Sequence, residues 1–167
     1  MQILNEQQIQ QKIKRLAIQI LEEHYKEAEI ILAGINNNGA NFANLLHNAI
    51  QTIDIQKPNI TQTNIRLNPA DPLERQITIE LPFKELDNKV IIVVDDVANT
   101  GRTLFYAMKP ILNHVIPKKL EVAVLVDRKH KAFPIHVDYV GLTLATTLSE
   151  NIEVRIREVA EMEVNLN

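Results

Sequence analysis

The chain of 167 residues has no cysteine and no tryptophan, and only 4% of its residues are aromatic. The absence of cysteine excludes disulfides, thiolate metal sites and thiol nucleophiles. The scarcity of aromatic rings argues against a protein that binds single-stranded nucleic acid by base stacking. No apolar run approaches the ~20 residues that cross a bilayer, and the amino terminus does not resemble a signal peptide. We therefore expect no membrane association and a cytoplasmic location.

An excess of charge of one sign is also missing. The 18 basic residues nearly balance the 21 acidic ones and leave a net charge of −3, which argues against strong nonspecific binding to nucleic acid. Hydrophobic residues make up 46% of the chain, so we expect it to fold rather than to stay disordered. Its 167 residues suffice for one domain with a core. No repeat, low-complexity tract or linker divides it, and we expect a single domain over residues 1–167.

Apolar runs of strand length alternate with segments of helical periodicity. An Asn5/Gln8 capping box opens the first helix. The pattern then predicts a strand over 28–35, a turn at 36–39, a helix over 40–53, a β-hairpin from strands 60–67 and 76–81, a strand over 90–94, a helix over 103–114 kinked or ended at Pro110, and strands over 120–126, 137–141 and 152–156. This order predicts an α/β fold with a mainly parallel sheet, helices on both faces and a β-hairpin flap.

The most informative stretch is the buried strand 90–94 and the residues that follow it. Asp95 and Asp96 fall at the carboxyl end of this strand, where open α/β sheets bind ligands. Residues 98–103 then supply backbone N–H groups, hydroxyls and a glycine at a helix start, a combination that holds phosphate. The competing interpretation is that the acidic pair only caps a helix, but the glycine loop favours a ligand site.

This stretch resembles the signature of the type I phosphoribosyltransferases, which use phosphoribosyl pyrophosphate. The resemblance implies that Asp95 and Asp96 contact the ribose hydroxyls, and that Mg²⁺ is a cofactor held mostly through substrate and water. It also implies that a loop holds the 5-phosphate, formed by Ala98, Asn99, Thr100, Gly101, Arg102 and Thr103. Two positions are atypical: Ala98 stands where a larger aliphatic residue is usual, and Asn99 stands where a small residue or, in one subfamily, tyrosine is usual.

Residues 123–150 resemble one branch in particular, the pyrimidine operon attenuator proteins that are also uracil phosphoribosyltransferases. The similarity lies in Leu-Val-Asp-Arg ending at Arg128, in Asp-Tyr-Val-Gly around Val140, and in Thr146 with the Ser-Glu that follows. It implies that the nucleobase lies near Asp127 and Arg128 and is read by backbone groups between Val140 and Thr146. Uracil is the base that this resemblance favours, with UMP as the product.

Three departures from that branch cluster where the chemistry occurs. Asn38, before Gly39, stands where an arginine usually helps to hold pyrophosphate. The flap segment 67–71 lacks the usual Tyr-Arg-Asp, and the segment 141–146 lacks the usual lysine and proline. Asparagine donates hydrogen bonds but brings no charge. Arg66 and Arg75 flank the flap loop and are candidates to replace the missing charge.

Three functions therefore stand side by side. The first is a phosphoribosyltransferase that makes a nucleotide from a free base. The second, less favoured because of the small negative net charge, is an RNA-binding regulator, for which the candidate basic residues are Lys12, Lys14, Arg15, Lys129, His130 and Lys131. The third is a sensor that binds phosphoribosyl pyrophosphate or a nucleotide with weak or no catalysis.

The apolar residues of the first two helices bear on assembly. Phe42 and Leu46 suggest a homodimer or a higher homo-oligomer, as in similar proteins. The competing interpretation is that both residues only fill the core of the monomer.

Overall fold

A computed structural model describes all residues from 1 to 167. Its strands are β1 (Gln2–Leu4), β2 (Glu29–Ile35), β3 (Asn59–Arg66), β4 (Thr78–Ile79), β5 (Val90–Ala98), β6 (Lys119–Arg128), β7 (Tyr139–Leu144), β8 (Ile152–Arg155) and β9 (Glu163–Leu166). Its helices are α1 (Glu6–His24), α2 (Asn36–Thr52), α3 (Arg102–Ala107) and α4 (Lys109–His114), with a 3-10 turn at Phe83–Glu85. None of these helices combines the length and the apolar character needed to span a bilayer.

The main sheet has six strands in the order β4-β3-β2-β5-β6-β7. Neighbours from β3 to β7 run parallel, and β4 alone is antiparallel to its partner β3. The central strand β5 is apolar and buried over residues 90–94, as expected for a parallel strand covered on both faces. The predicted α/β fold is confirmed. The flap hairpin is present, although its second strand spans only two residues rather than 76–81.

The two faces of the sheet are covered by different helices. On one face, α1 and α2 pack into a core that includes Ile9, Leu16, Phe42 and Leu46. On the other face, α3 and α4 contribute Leu104 and other apolar side chains to a second core. Phe42 and Leu46 are each 0% exposed. The inference that these two residues form an exposed dimer surface is therefore wrong, because the sheet of the same chain covers them.

The start of α2 differs from the sequence prediction. Residues 36–39 were expected to be a turn, but they form the first turn of the helix. Asn36 has a positive φ of 50°, which asparagine tolerates better than most residues. Its side-chain amide donates to the Leu67 carbonyl oxygen at 2.9 Å and accepts from the Leu67 N–H at 3.1 Å. These bonds hold the sharp corner between β2 and α2, so the helix begins without a connecting loop.

The helix predicted over 103–114 is divided in two at Met108. Pro110 lies in the first turn of α4, where the N–H that proline lacks would have no partner within the helix. The break therefore falls two residues before the proline, and the proline opens the second helix instead of ending the first.

A separate three-stranded sheet, in the order β1-β9-β8, joins the two ends of the chain. Strand β8 was predicted, whereas β1 and β9 were not. These two strands are only three and four residues long, which is too short to show a clear alternation of apolar and polar residues. This sheet brings Ile152, at the start of β8, to the carboxyl end of the main sheet.

Candidate active site

The carboxyl ends of β2, β3 and β5 border one hollow of about 430 Å³. Asp95 and Asp96, near the end of β5, lie in its wall together with Asn99 from the loop that follows and Thr103 from the first turn of α3. The opposite wall consists of Asn36, Asn37 and Asn38 at the start of α2, with Arg66 and Pro69 from the end of β3 and the flap. The structure thus brings the predicted ribose pair, part of the predicted phosphate loop and Asn38 into one site.

The two carboxylates have pKa values above the usual range. Burial raises the pKa of Asp95 well above its ordinary value, and the neighbouring charge of Asp96 adds to the effect. Burial also raises the pKa of Asp96, although the side-chain amide of Asn38 favours its charged form. A carboxylate pair of this kind is stabilised by a ligand that brings hydroxyl donors or positive charge.

The loop at residues 98–103 is held in a fixed shape. Gly101 has φ of +84°, and a Cβ there would come within 3.2 Å of the Ile135 Cβ atom. The Thr100 carbonyl oxygen accepts the N–H groups of Ala132 and Phe133 at 2.9 and 3.1 Å. The chain after β6 therefore clamps the loop from outside. Residues 97–104 and Asp95 surround a small hollow of about 40 Å³ beside the main one.

Gly39 sets how closely α2 approaches the acidic strand. A Cβ on Gly39 would lie 2.4 Å from the Val94 carbonyl oxygen, which is too close for any side chain. The residue predicted as part of the pyrophosphate loop therefore serves close packing between α2 and β5. This packing brings the first turn of α2 against the acidic pair, and it places Asn38 within reach of Asp96.

Arg128, which was expected beside the nucleobase, is 8% exposed and bound within the protein. Its Nε donates to the Thr146 hydroxyl at 2.8 Å, and its Nη1 donates to the Asn99 side chain at 3.0 Å. Its Nη2 donates to the carbonyl oxygens of Thr147 and Glu150 at 3.0 and 2.8 Å. Arg128 therefore ties the phosphate loop to the segment after β7, and it has little donor capacity left for a ligand.

The other residues expected near the base lie on neighbouring strands. Asp127 pairs with Lys131, which also donates to the Asn99 carbonyl oxygen at 3.1 Å. Val140 lies in β7 opposite Val124 of β6. The ends of β6 and β7 thus adjoin the acidic strand on the side away from β2 and β3.

Sequence reasoning did not include Ile35 and Ile152, which also line the hollow. Ile35 is the last residue of β2, and this position at a strand end was a usable signal. Ile152 comes from the small second sheet, and no local sequence pattern connects it with the acidic pair. Arg66 was singled out beside the flap, and the structure adds that it lines the same hollow as Asp95 and Asp96.

No three His, Asp or Glu side chains come together in a group that could hold a metal ion. The donors that do face the hollow are the carboxylate oxygens of Asp95 and Asp96. Hard oxygen donors suit Mg²⁺, which keeps several of its waters when it binds with a phosphorylated substrate.

The chain was compared with known proteins. A family model described as the phosphoribosyl transferase domain matches residues 1–158. The chain is 33% identical over 160 residues to the bifunctional protein PyrR of Macrococcus caseolyticus, which covers 94% of this chain and 92% of that protein. It is 35% identical over 161 residues to the bifunctional protein PyrR of Clostridium novyi, with coverage of 94% and 90%. A hypoxanthine phosphoribosyltransferase structure from Trypanosoma cruzi has a TM-score of 0.75 at 18% identity and covers 98% of this chain and 94% of its own.

Proposed function

We propose that the base used by this protein is uracil and that its product is UMP. The chain belongs to the phosphoribosyltransferase family and is a pentosyltransferase. Ribose 5-phosphate would pass from phosphoribosyl pyrophosphate to the base, with release of pyrophosphate. The observation that carries the proposal is that Asp95 and Asp96 line one hollow with Asn99 and Thr103, and that residues 98–103 surround a smaller hollow beside it. The uracil assignment is supported by the resemblance of residues 123–150 to the attenuator and uracil phosphoribosyltransferase branch, and by the curated relatives named PyrR.

The proposed substrate position follows from the chemistry of the two walls. Asp95 and Asp96 accept hydrogen bonds from the ribose hydroxyls, which matches carboxylates whose burial makes ionisation costly without a ligand. The 5-phosphate lies on the loop from Ala98 to Thr103, whose N–H groups and hydroxyls are its donors. Gly101 gives this loop its left-handed turn.

In the reaction, the bond from ribose C1 to the pyrophosphate oxygen breaks and its electron pair leaves with pyrophosphate, while a bond from C1 to a base nitrogen forms and that nitrogen loses its proton to water. Positive charge develops on the ribose ring as the leaving group departs. The carboxylates of Asp95 and Asp96 favour that charge, because they are held in place before the reaction begins. Mg²⁺, when bound, would supply charge neutralisation for the pyrophosphate, and the oxygens of the acidic pair would face its water shell.

The base is proposed to lie beside the ends of β6 and β7. Backbone groups between Val140 and Thr146 would read its edge, as the resemblance to the attenuator branch implies. Asp127 and Arg128 would act by positioning this segment and the phosphate loop. This role agrees with the four hydrogen bonds that Arg128 makes within the protein.

Pyrophosphate release tests the proposal. The purified protein is incubated with phosphoribosyl pyrophosphate and Mg²⁺, and with each of uracil, hypoxanthine, guanine, adenine, xanthine and orotate. Release that depends on uracil is expected. Release with hypoxanthine or guanine instead would support phosphoribosyl transfer but contradict uracil as the base. No release with any of the six bases would contradict both the reaction and the base.

An RNA-binding regulatory role is the second candidate, because the curated relatives are named bifunctional. Of the candidate basic residues, Lys14 and Arg15 are exposed on α1, whereas Lys131 is bound to Asp127. Lys129 is also exposed, so we expect Lys14, Arg15 and Lys129 rather than Lys131 to carry any RNA contact. Binding to a pyrimidine-operon leader that weakens steeply with added salt would support this role.

Assembly and location complete the proposal. We propose a homodimer or higher homo-oligomer in the cytoplasm, with residues 1–167 as one domain. Phe42 and Leu46 are buried and therefore do not support the oligomer. Support comes instead from Ile18, Tyr25 and Ile55, which are exposed apolar side chains around one groove between α1 and the end of α2. Sedimentation checks it, since a particle near 19.0 kDa would be a monomer.

A further inference from the structure

The order of the strands locates the leaving group of the proposed reaction. The acidic pair is on β5, the proposed base segment is on β6 and β7, and the three asparagines and Arg66 follow β2 and β3 on the opposite side. The incoming base and the departing pyrophosphate need opposite faces of ribose C1. If the base lies toward β7, as the proposed function requires, the pyrophosphate lies toward β2 and β3.

That side of the hollow contains one cation. Residues 36–38 are neutral amides, and Arg66 is the basic side chain among the residues that line the hollow. Arg66 is exposed at the end of β3 and donates from Nη1 to the Asn37 side-chain oxygen at 2.8 Å. A guanidinium has five N–H donors, and this is the hydrogen bond that Arg66 makes within the protein. It therefore keeps most of its donors for a ligand while Asn37 holds its direction.

The other cations near the site are already engaged or lie elsewhere. Arg102 lines the small hollow beside the phosphate loop and not the main one, Lys131 pairs with Asp127, and Arg128 is buried. Arg75 lines a neighbouring hollow of about 510 Å³, which shares Arg66 but does not include the acidic pair. Of the two arginines that flank the flap, only Arg66 borders the site itself.

We propose that Arg66 binds the pyrophosphate group of phosphoribosyl pyrophosphate and supplies the charge that Asn38 does not. A pyrophosphate carries several negative charges, which amide donors alone compensate poorly. A guanidinium matches two phosphate oxygens with two parallel N–H donors. The charge that the sequence lacks at the start of α2 is thus restored from the adjacent strand β3, across the same hollow.

Calorimetry of two ligands tests the assignment in the presence of Mg²⁺. Phosphoribosyl pyrophosphate contains the leaving group, whereas ribose 5-phosphate shares the ribose and the 5-phosphate but lacks it. We expect Arg66→Gln to weaken phosphoribosyl pyrophosphate binding by about 10- to 100-fold, as for the loss of a charged hydrogen-bonding partner. Its affinity for ribose 5-phosphate should stay unchanged, and this second ligand also verifies that the variant is folded.

Two further variants sharpen the result. Arg66→Lys keeps the charge without the paired donors, so it should recover part of the lost affinity. Arg75→Gln removes the same charge from the neighbouring hollow and should lower the affinity much less, because solvent and salt screen charges at longer range.

The outcomes separate this assignment from the proposed function. If the wild type binds no phosphoribosyl pyrophosphate, the proposed function is overturned and the role of Arg66 falls with it. If the wild type binds and Arg66→Gln binds as tightly, only the role of Arg66 is overturned. Equal losses for both ligands, or equal losses for Arg66→Gln and Arg75→Gln, would also contradict a specific contact with pyrophosphate.

Discussion

The two walls of the hollow are built in different ways. The acidic wall, which we define as Asp95, Asp96 and residues 98–103, is one continuous strand, loop and helix. The amide wall, which we define as residues 36–39, Arg66 and residues 67–71, comes from two strand ends and the flap. The acidic wall contributes the two carboxylates and the phosphate loop, whereas Arg66 is the charged residue that the amide wall contributes to the lining of the hollow.

The bonding of the amide wall explains its composition. The Asn64 side chain donates to the carbonyl oxygens of Gly34 and Asn36 at 2.8 and 2.9 Å, and Asn36 exchanges two hydrogen bonds with Leu67. An asparagine side chain supplies both N–H donors and an oxygen acceptor within a short reach of the backbone. The asparagines therefore hold the corner between β2 and α2 and join it to the end of β3, so they do not provide a charged group for a ligand. The start of α2 thus keeps its shape without a charged residue, and the charge on this side of the hollow comes from Arg66 at the end of β3.

The largest effect is expected on the acidic wall. Changing Asp95→Asn together with Asp96→Asn removes the charge that favours the developing positive charge on ribose. We expect pyrophosphate release to fall by about 100- to 1000-fold or more, the scale found when one preorganised electrostatic group is lost. Steady-state release with phosphoribosyl pyrophosphate and the accepted base measures it. A variant that retains a tenth or more of the activity would show that the pair is not central.

The next effect compares the glycine of each wall. Gly39→Ala places a methyl group 2.4 Å from the Val94 carbonyl oxygen, and the neighbour is backbone that cannot turn away. Gly101→Ala meets the Ile135 side chain at 3.2 Å and has a positive φ. We expect losses in the free energy of unfolding of about 1–3 kcal/mol for Gly39→Ala and about 1–2 kcal/mol for Gly101→Ala.

Urea unfolding of the two glycine variants measures the difference. The Gly101 variant should in addition bind ribose 5-phosphate less tightly, because its change lies in the phosphate loop. If Gly39→Ala left stability unchanged, α2 would not be packed against β5 as closely as the structure has it.

The acidic wall was predictable from sequence because its signal is local. A run of β-branched residues ends at Asp95, and the loop residues follow in unbroken order, so strand, acid pair and loop are read from one stretch. The amide wall was not predictable in the same way. Asn-Asn-Asn-Gly at 36–39 is typical of a turn, and only the bonds to Leu67 and Asn64, about 30 residues away, make it a helix start.

The remaining differences also depend on contacts between distant residues. An apolar helix face such as that of Phe42 and Leu46 must be covered, but the sequence does not tell whether a sheet or a second copy covers it. Arg128 follows Asp127 at the carboxyl end of β6, a position at which open α/β sheets bind ligands. Its partners, however, lie 18 to 29 positions away in the chain. Such partners become known only when the sheet order is known.

A smaller effect concerns pH. Burial raises the pKa of Asp95 and Asp96 above their usual 3.8, so the folded protein binds these protons more tightly than the unfolded chain does. The contribution of the pair to stability therefore decreases as the pH rises from the unfolded pKa through the folded pKa, and the loss is complete above it. The Asp95→Asn and Asp96→Asn double variant has no ionisable side chain at these two positions, so its stability lacks this dependence on pH.

Thermal unfolding without ligand checks this sign. We expect the double variant to melt above the wild type at pH 7, with the difference shrinking as the pH falls through the raised pKa values of the folded state toward the unfolded value of about 4, and with no further change below it. A wild type that melts higher than the variant at pH 7 would mean that the ionised pair is stabilised in the free protein.

The smallest effect is expected where the two walls meet. Arg102, from the acidic wall, donates to the Pro69 carbonyl oxygen of the amide wall at 2.7 Å. Arg102→Ala removes this exposed hydrogen bond, and we expect it to lower the local stability of the flap segment 67–71 by about 0.5–1.5 kcal/mol. Hydrogen exchange should accelerate over residues 67–71 and stay unchanged in β5, while phosphoribosyl pyrophosphate affinity falls by less than with Arg66→Gln. If Arg102→Ala weakened binding as much as Arg66→Gln, Arg102 would itself contact the substrate, and the division of charge between the two walls would have to be redrawn.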